Sequence, residues 1–121
     1  MKETQTILGQ VPSKANSYRI VYHGKTPMLG KTDAMRAYER SFFAQCNMYR
    51  NKNISTYFEL ELKVFYKTLS PDLDNSLKVI LDCLQECRAI KNDRYCMKIT
   101  AEKFVDKANP RIEFTLIPCQ V

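Results

Sequence analysis

Apolar and polar residues alternate from residue 56 to 67, placing Phe58, Leu60, Leu62, Val64 and Tyr66 on one side of an extended chain and Glu59, Glu61 and Lys63 on the other. A period of two sustained over that length predicts a strand with one buried face. Residues 4–10 alternate more weakly and predict a first strand, closed by Gly9 and Pro12. Two further strands are predicted at residues 95–105 and 111–117, the last alternating through Ile112, Phe114 and Leu116, with a turn at Ala108-Asn109-Pro110 between them. The period lengthens to steps of three and four at Met35, Tyr38, Phe42, Cys46 and Tyr49, a helical stripe that Thr32 or Asp33 can cap. The stretch leading to it, up to Lys31, reads as a basic irregular loop with a short strand at residues 18–22 and turns at His23-Gly24 and Leu29-Gly30. Ser70-Pro71 ends the central strand, and a second helix is expected over residues 72–88, where Asp72 can meet unpaired backbone N–H groups.

On a helical wheel Leu73, Leu77, Ile80, Leu81 and Leu84 share one arc, which is expected to face the sheet. Asp74, Lys78 and Asp82 follow at i, i+4 and i+8 along its border, a polar ridge at the edge of the core. Val79 and Cys83 fall on a side that this arc does not reach and are expected to seat a partner subunit. These elements give an α+β fold: a small single domain over residues 1–121, with a mixed β-sheet of about four strands packed with two helices.

Length supports that reading, since 121 residues can bury roughly two-thirds of their unfolded surface around one core. Residues 1–25 contain no continuous apolar segment, and no run of about 18 apolar residues occurs, so no membrane partner is expected and the cytoplasm is the expected location. Five cysteines without a C-x-x-C pair fit reduced, buried thiols better than a disulfide framework or a zinc site.

Charge changes the picture. The chain carries a formal +6, and residues 1–55 hold nine basic and three acidic side chains, which accounts for the whole excess. A chain so charged is drawn to polyanions by counterion release. Lys14, Arg19, Lys25, Lys31, Arg36 and Arg40 are the candidate contacts. The second half is neutral overall and gathers carboxylates around one lysine: Asp72, Asp74, Lys78, Asp82 and, beyond the helix, Asp93. Hard divalent cations such as Mg²⁺ or Mn²⁺ take oxygen ligands, and one or two carboxylates with water and a substrate phosphate complete an octahedron. Asp72, Asp74 and Asp93 are the candidate ligands, and Lys78 can meet charge that builds on a phosphate. The same spacing also reads structurally, with Asp72 as a helix cap, Asp74–Lys78–Asp82 as i, i+4 ion pairs and Asp93 as a turn residue.

The run Asp72-Leu73-Asp74-Asn75-Ser76-Leu77-Lys78-Val79-Ile80-Leu81-Asp82-Cys83-Leu84, followed by Ile90-Lys91-Asn92-Asp93, resembles the core motif of the RusA family of Holliday-junction resolvases, D-L-D-N-x-x-K-x-x-x-D-x-L and then D-D-x-Q. Gly9-Gln10-Val11-Pro12-Ser13-Lys14-Ala15-Asn16 is similar to the family's opening strand and Pro-Ser-Lys-Asn loop, with Ala15 inserted. The resemblance implies metal-dependent hydrolysis of branched DNA, especially four-way junctions, by a homodimer using Mg²⁺ or Mn²⁺. Asp72, Asp74 and Asp93 would be the metal-binding catalytic acids and Lys78 the catalytic lysine. Asp82, Asn75 and Asn92 would support them, and Ser13, Lys14 and Asn16 would contact DNA. The chain departs from the pattern at Ser70-Pro71, where a basic residue is usual, at Asn92 in place of the first Asp of the D-D pair, and at Tyr95 in place of Gln. A relative that binds branched DNA without cutting it, or a nuclease for flaps or RNA, is the alternative reading.

Overall fold

In the computed structural model, which describes residues 3–119, the alternating segment becomes the central strand of a four-stranded sheet. In chain order the elements are β1 (Gln5–Leu8), α1 (Lys14–Ser17), β2 (Tyr18–His23), β3 (Thr26–Lys31), α2 (Asp33–Gln45), β4 (Phe58–Tyr66), α3 (Leu73–Glu86), β5 (Cys96–Val105) and β6 (Arg111–Pro118), with a 3₁₀ turn at Asp93–Tyr95. The sheet runs β1-β6-β4-β5. β6 is antiparallel to β1 and β4, whereas β4 and β5 are parallel. Parallel neighbours need a crossover, and α3 is that crossover, so it spans the sheet from the C-terminal end of β4 to the N-terminal end of β5. Among the described residues no helix is long and apolar enough to cross a membrane.

The predicted mixed α+β architecture is the one observed, with differences of local origin. The basic stretch before α2 is more ordered than expected: the strand predicted at residues 18–22 forms as β2 and pairs with β3 in an antiparallel ribbon of its own, and Leu29-Gly30, expected as a turn, lies inside β3 opposite Ile20 and Arg19. Gly24, at φ +64°, supplies the left-handed turn that closes the ribbon. α2 starts at the predicted cap, where the Thr32 side chain accepts a bond from the Met35 N–H, but it stops at Gln45. Cys46 and Tyr49 still reach the core from the turns that follow. α3 ends at Glu86 because Arg88 adopts φ +60°, which no helix can continue.

The principal correction concerns the faces of α3. Val79 and Cys83 are fully buried, together with Ser76, Ile80 and Leu84, while Leu73, Leu77 and Leu81 are only partly covered. The wheel assumed one neighbour, the sheet, but α3 also packs against α1 and α2. Its buried arc is therefore wider and rotated toward those helices, and Val79 and Cys83 cannot seat a partner subunit. Among the described residues the other side of the sheet carries no helix. There Arg111 lies over the Phe65 ring at 3.8 Å and Phe65 stacks on Phe104 at 4.9 Å.

Candidate active site

The segment between β4 and α3 is fixed by bonds that present the start of α3 to solvent. Gln10 Oε1 accepts from the Lys67 N–H at 2.8 Å, and Lys103 Nζ, reaching over from β5, donates to the carbonyls of Leu69 at 2.9 Å and Pro71 at 3.0 Å. Asp72 then occupies the N-cap position with extended backbone, yet its side chain makes no capping bond. The expectation that this carboxylate would meet the helix N–H groups is thus not met. Asp72 and Asp74 are both exposed at the positive end of a 14-residue helix.

Beneath them the Tyr66 hydroxyl and Ser76 Oγ hydrogen-bond to each other inside the core. Burial raises the Tyr66 pKa, the bond to Ser76 opposes that, and the charges of Asp72 and Asp74 raise it further. The phenol therefore stays neutral under the acids. A cleft of about 410 Å³ opens here, lined by Asp72 and Asn75 on one wall and by Ser13 and Asn16 on the other. Ser13 caps α1, its Oγ accepting from the Asn16 N–H at 3.1 Å. The two stretches that sequence reading singled out separately thus face each other across one opening.

Of the expected polar ridge the Lys78–Asp82 contact forms, while Asp74 is exposed. Lys78 Nζ meets Asp82 Oδ1 at 2.9 Å. Asp82 also accepts a bond from the Tyr18 hydroxyl through its other oxygen. Tyr18 directly follows α1, so α1 and the root of β2 run alongside α3 from the cleft to the ridge. The Asp82 pair holds the Lys78 ammonium above the usual lysine value, and the charge of Asp93 adds to it, so Lys78 is cationic at every physiological pH. Burial and the Asp82 carboxylate push the Tyr18 phenol up and keep it a donor.

Asp93 stands apart from the other two acids. Its N–H donates to Gln85 Oε1 at 3.0 Å, which places it at the C-terminal end of α3. Asp74 and Gln85 are eleven residues apart, about 16 Å along the helix axis. Asn92 Oδ1 is used as the cap of the 3₁₀ turn, accepting from the Arg94 N–H at 3.0 Å. Among the described residues no three histidine, cysteine, aspartate or glutamate side chains converge in a way that could hold a metal ion. Asp72 and Asp74 suit a hard cation that also takes a phosphate, whereas Asp93 of the same chain does not join them.

The basic candidates divide. Lys31 is paired with Glu39 at 2.9 Å and Glu86 at 3.5 Å, and Arg36 with Asp33 at 3.6 Å. Lys14, Arg19, Lys25 and Arg40 are exposed. Tyr18, Lys103, Ser76 and Gln85 were not singled out in the sequence. Their signal is only spatial: Tyr18 and Lys103 reach α3 and the segment before it from β2 and β5, and Ser76 and Gln85 are ordinary α3 residues until Tyr66 and Asp93 meet them.

A family model described as Endodeoxyribonuclease RusA matches residues 10–117, a span that contains the cleft, the ridge and Asp93. No curated protein matches the chain.

Proposed function

The chain belongs to the RusA endodeoxyribonuclease family, and from that premise we propose that it resolves four-way DNA junctions by metal-dependent hydrolysis at the start of α3. The observation that carries this reading is the state of Asp72 and Asp74: two exposed carboxylates at the start of α3, with Asp72 on the rim of the cleft and not committed to capping the helix. Asp72 and Asp74 would hold Mg²⁺ or Mn²⁺ with a DNA phosphate and water. A cation so held would lower the pKa of a bound water and offset charge on the scissile phosphate. Ser13, Asn16 and Asn75 line the same cleft and can orient the phosphate by hydrogen bonds. Lys78, one turn beyond Asp74 and kept charged by Asp82, can stabilise the charge that develops during displacement. Tyr18 holds Asp82, and through it the Lys78 ammonium, in place.

Asp93 enters through a second copy of the chain. β5 is an edge strand of ten residues, and along it Met97, Ile99 and Val105 are exposed beside the partly covered Leu73, Leu77 and Leu81 of α3. Strand edges with apolar flanks invite pairing. A two-fold axis through the middle of β5 would set the start of one β5 against the end of the other, exchanging ends about 33 Å apart. The Asp93 of one copy would then approach the Asp72 and Asp74 of the other, giving two symmetry-related sites for two symmetry-related strands. This homodimer supplies the third acid that a single chain keeps at a distance.

The test is cleavage of an end-labelled four-way junction in Mg²⁺, Mn²⁺ or EDTA, beside plain duplex and a flap. Paired nicks confined to the junction, dependent on metal and absent with Asp74→Asn although the variant still binds, are expected. Metal-independent cutting, or cutting that survives Asp74→Asn, would remove Asp74 from the site.

A further inference from the structure

The β2–β3 ribbon stands outside the sheet and presents an apolar face that the core does not use. Ile20 pairs with Leu29 and Tyr22 with Pro27, so these four side chains share one face of the ribbon. Ile20 is 65 %, Leu29 67 % and Tyr22 67 % exposed. Apolar side chains clustered in water mark a surface that meets something. Residues 14–31 contain Lys14, Arg19, Lys25 and Lys31 and no acidic residue, so what this segment meets is negatively charged.

The root of the ribbon is firmly held. Tyr18 bonds Asp82, the Thr32 N–H donates to the Ser17 carbonyl at 2.9 Å, and Lys31 pairs with Glu39 and Glu86. A two-stranded ribbon is of a size to enter a DNA groove. Isoleucine and leucine side chains that enter a duplex part adjacent base pairs, and tyrosine stacks on exposed bases. A branch point, where stacking is already interrupted, is the place on DNA where such parting is least costly.

Building on the junction reading above, we propose that the β2–β3 ribbon is a wedge: its Ile20–Leu29–Tyr22 face packs against unstacked bases at the branch, and Arg19 and Lys25 meet the flanking phosphates. The wedge joins the active ridge directly, because Tyr18 is at once the first residue of β2 and the hydrogen-bond partner of Asp82. Seating the ribbon at the branch would thereby fix which phosphates lie at the start of α3, making Ile20, Tyr22 and Leu29 determinants of specificity for branched over continuous duplex.

The experiment uses full-length protein in EDTA, where no cleavage occurs, with a four-way junction carrying 2-aminopurine beside the branch. Binding of the wild type should raise 2-aminopurine fluorescence severalfold. The double variant Ile20→Ser/Leu29→Ser should lose that rise, bind the junction within a few-fold of wild type with an unchanged salt dependence, and lose its preference over plain duplex. Both positions are exposed, so its melting curve should match the wild type. Junction binding by the wild type without a rise, or a full rise in the double variant, overturns the wedge alone. Failure of the wild type to prefer the junction overturns the junction reading and the wedge with it. A double variant that sediments as a monomer where the wild type is a dimer would assign the patch to self-association instead, and would also overturn the wedge.

Discussion

If Asp93 acts only across a dimer, two inactive proteins should repair each other. Asp74→Asn and Asp93→Asn are each expected to abolish cleavage as homodimers. The two chains, co-expressed with different tags and purified through both, give a heterodimer in which one site carries both substitutions and the other carries neither. The structure sets the magnitude. Gln85, whose side chain anchors Asp93, lies eleven positions beyond Asp74 on α3, about 16 Å along the helix axis and several times what a single cation can bridge. One intact site of two predicts about half the wild-type rate of strand nicking and almost no paired cuts, since the opposite strand meets the dead site. The assay is a junction with each strand labelled in turn, read on a denaturing gel. A verified heterodimer no more active than either parent would refute the reasoning, because that is the outcome when each chain holds its own complete site.

Ser76→Ala should leave the Tyr66 hydroxyl buried without its partner and lower stability by about 1–3 kcal/mol, read as a shift in the urea midpoint at unchanged slope; no shift would mean the phenol finds another partner. Tyr18 gives a pH signature. Its pKa is raised in the folded protein above the ordinary 10.0, by burial first and then by Asp82, so the folded state holds the phenol proton more tightly than the unfolded state. That contribution is fully present below pH 10 and is lost as pH climbs beyond it. The stability advantage of wild type over Tyr18→Phe should therefore shrink above pH 10 in denaturant titrations; an advantage that grows there would contradict the Tyr18–Asp82 bond.

Strand β4, the two long helices and the ridge were legible because each is encoded by periodicity within one segment, and a helix imposes the Lys78–Asp82 contact on any sequence with that spacing. The faces of α3 were not, because the wheel counts residues on one element and says nothing of how many neighbours enclose it. Val79 and Cys83 look marginal beside a leucine arc and are core residues once α1 and α2 cover them. The second strand of the ribbon was not legible for a related reason: exposed Met28 and Leu29 give β3 no alternation of buried and solvated residues, although β2 was read at residues 18–22. Tyr18 and Lys103 join the site from 64 and about 30 positions away in the chain, and no local pattern announces them. The place of Asp72 and Asp74 at the start of α3 was legible, whereas the position of Asp93 at its other end required the crossover direction of α3.

The cap that Asp72 declines to make sets stability and activity in opposition at one residue. Serine or threonine there would bond the helix N–H groups, gaining about 1 kcal/mol. A search for hardier variants of this protein that selects only on melting temperature would therefore be drawn to position 72, and would reach its goal by removing a carboxylate proposed here to hold the metal.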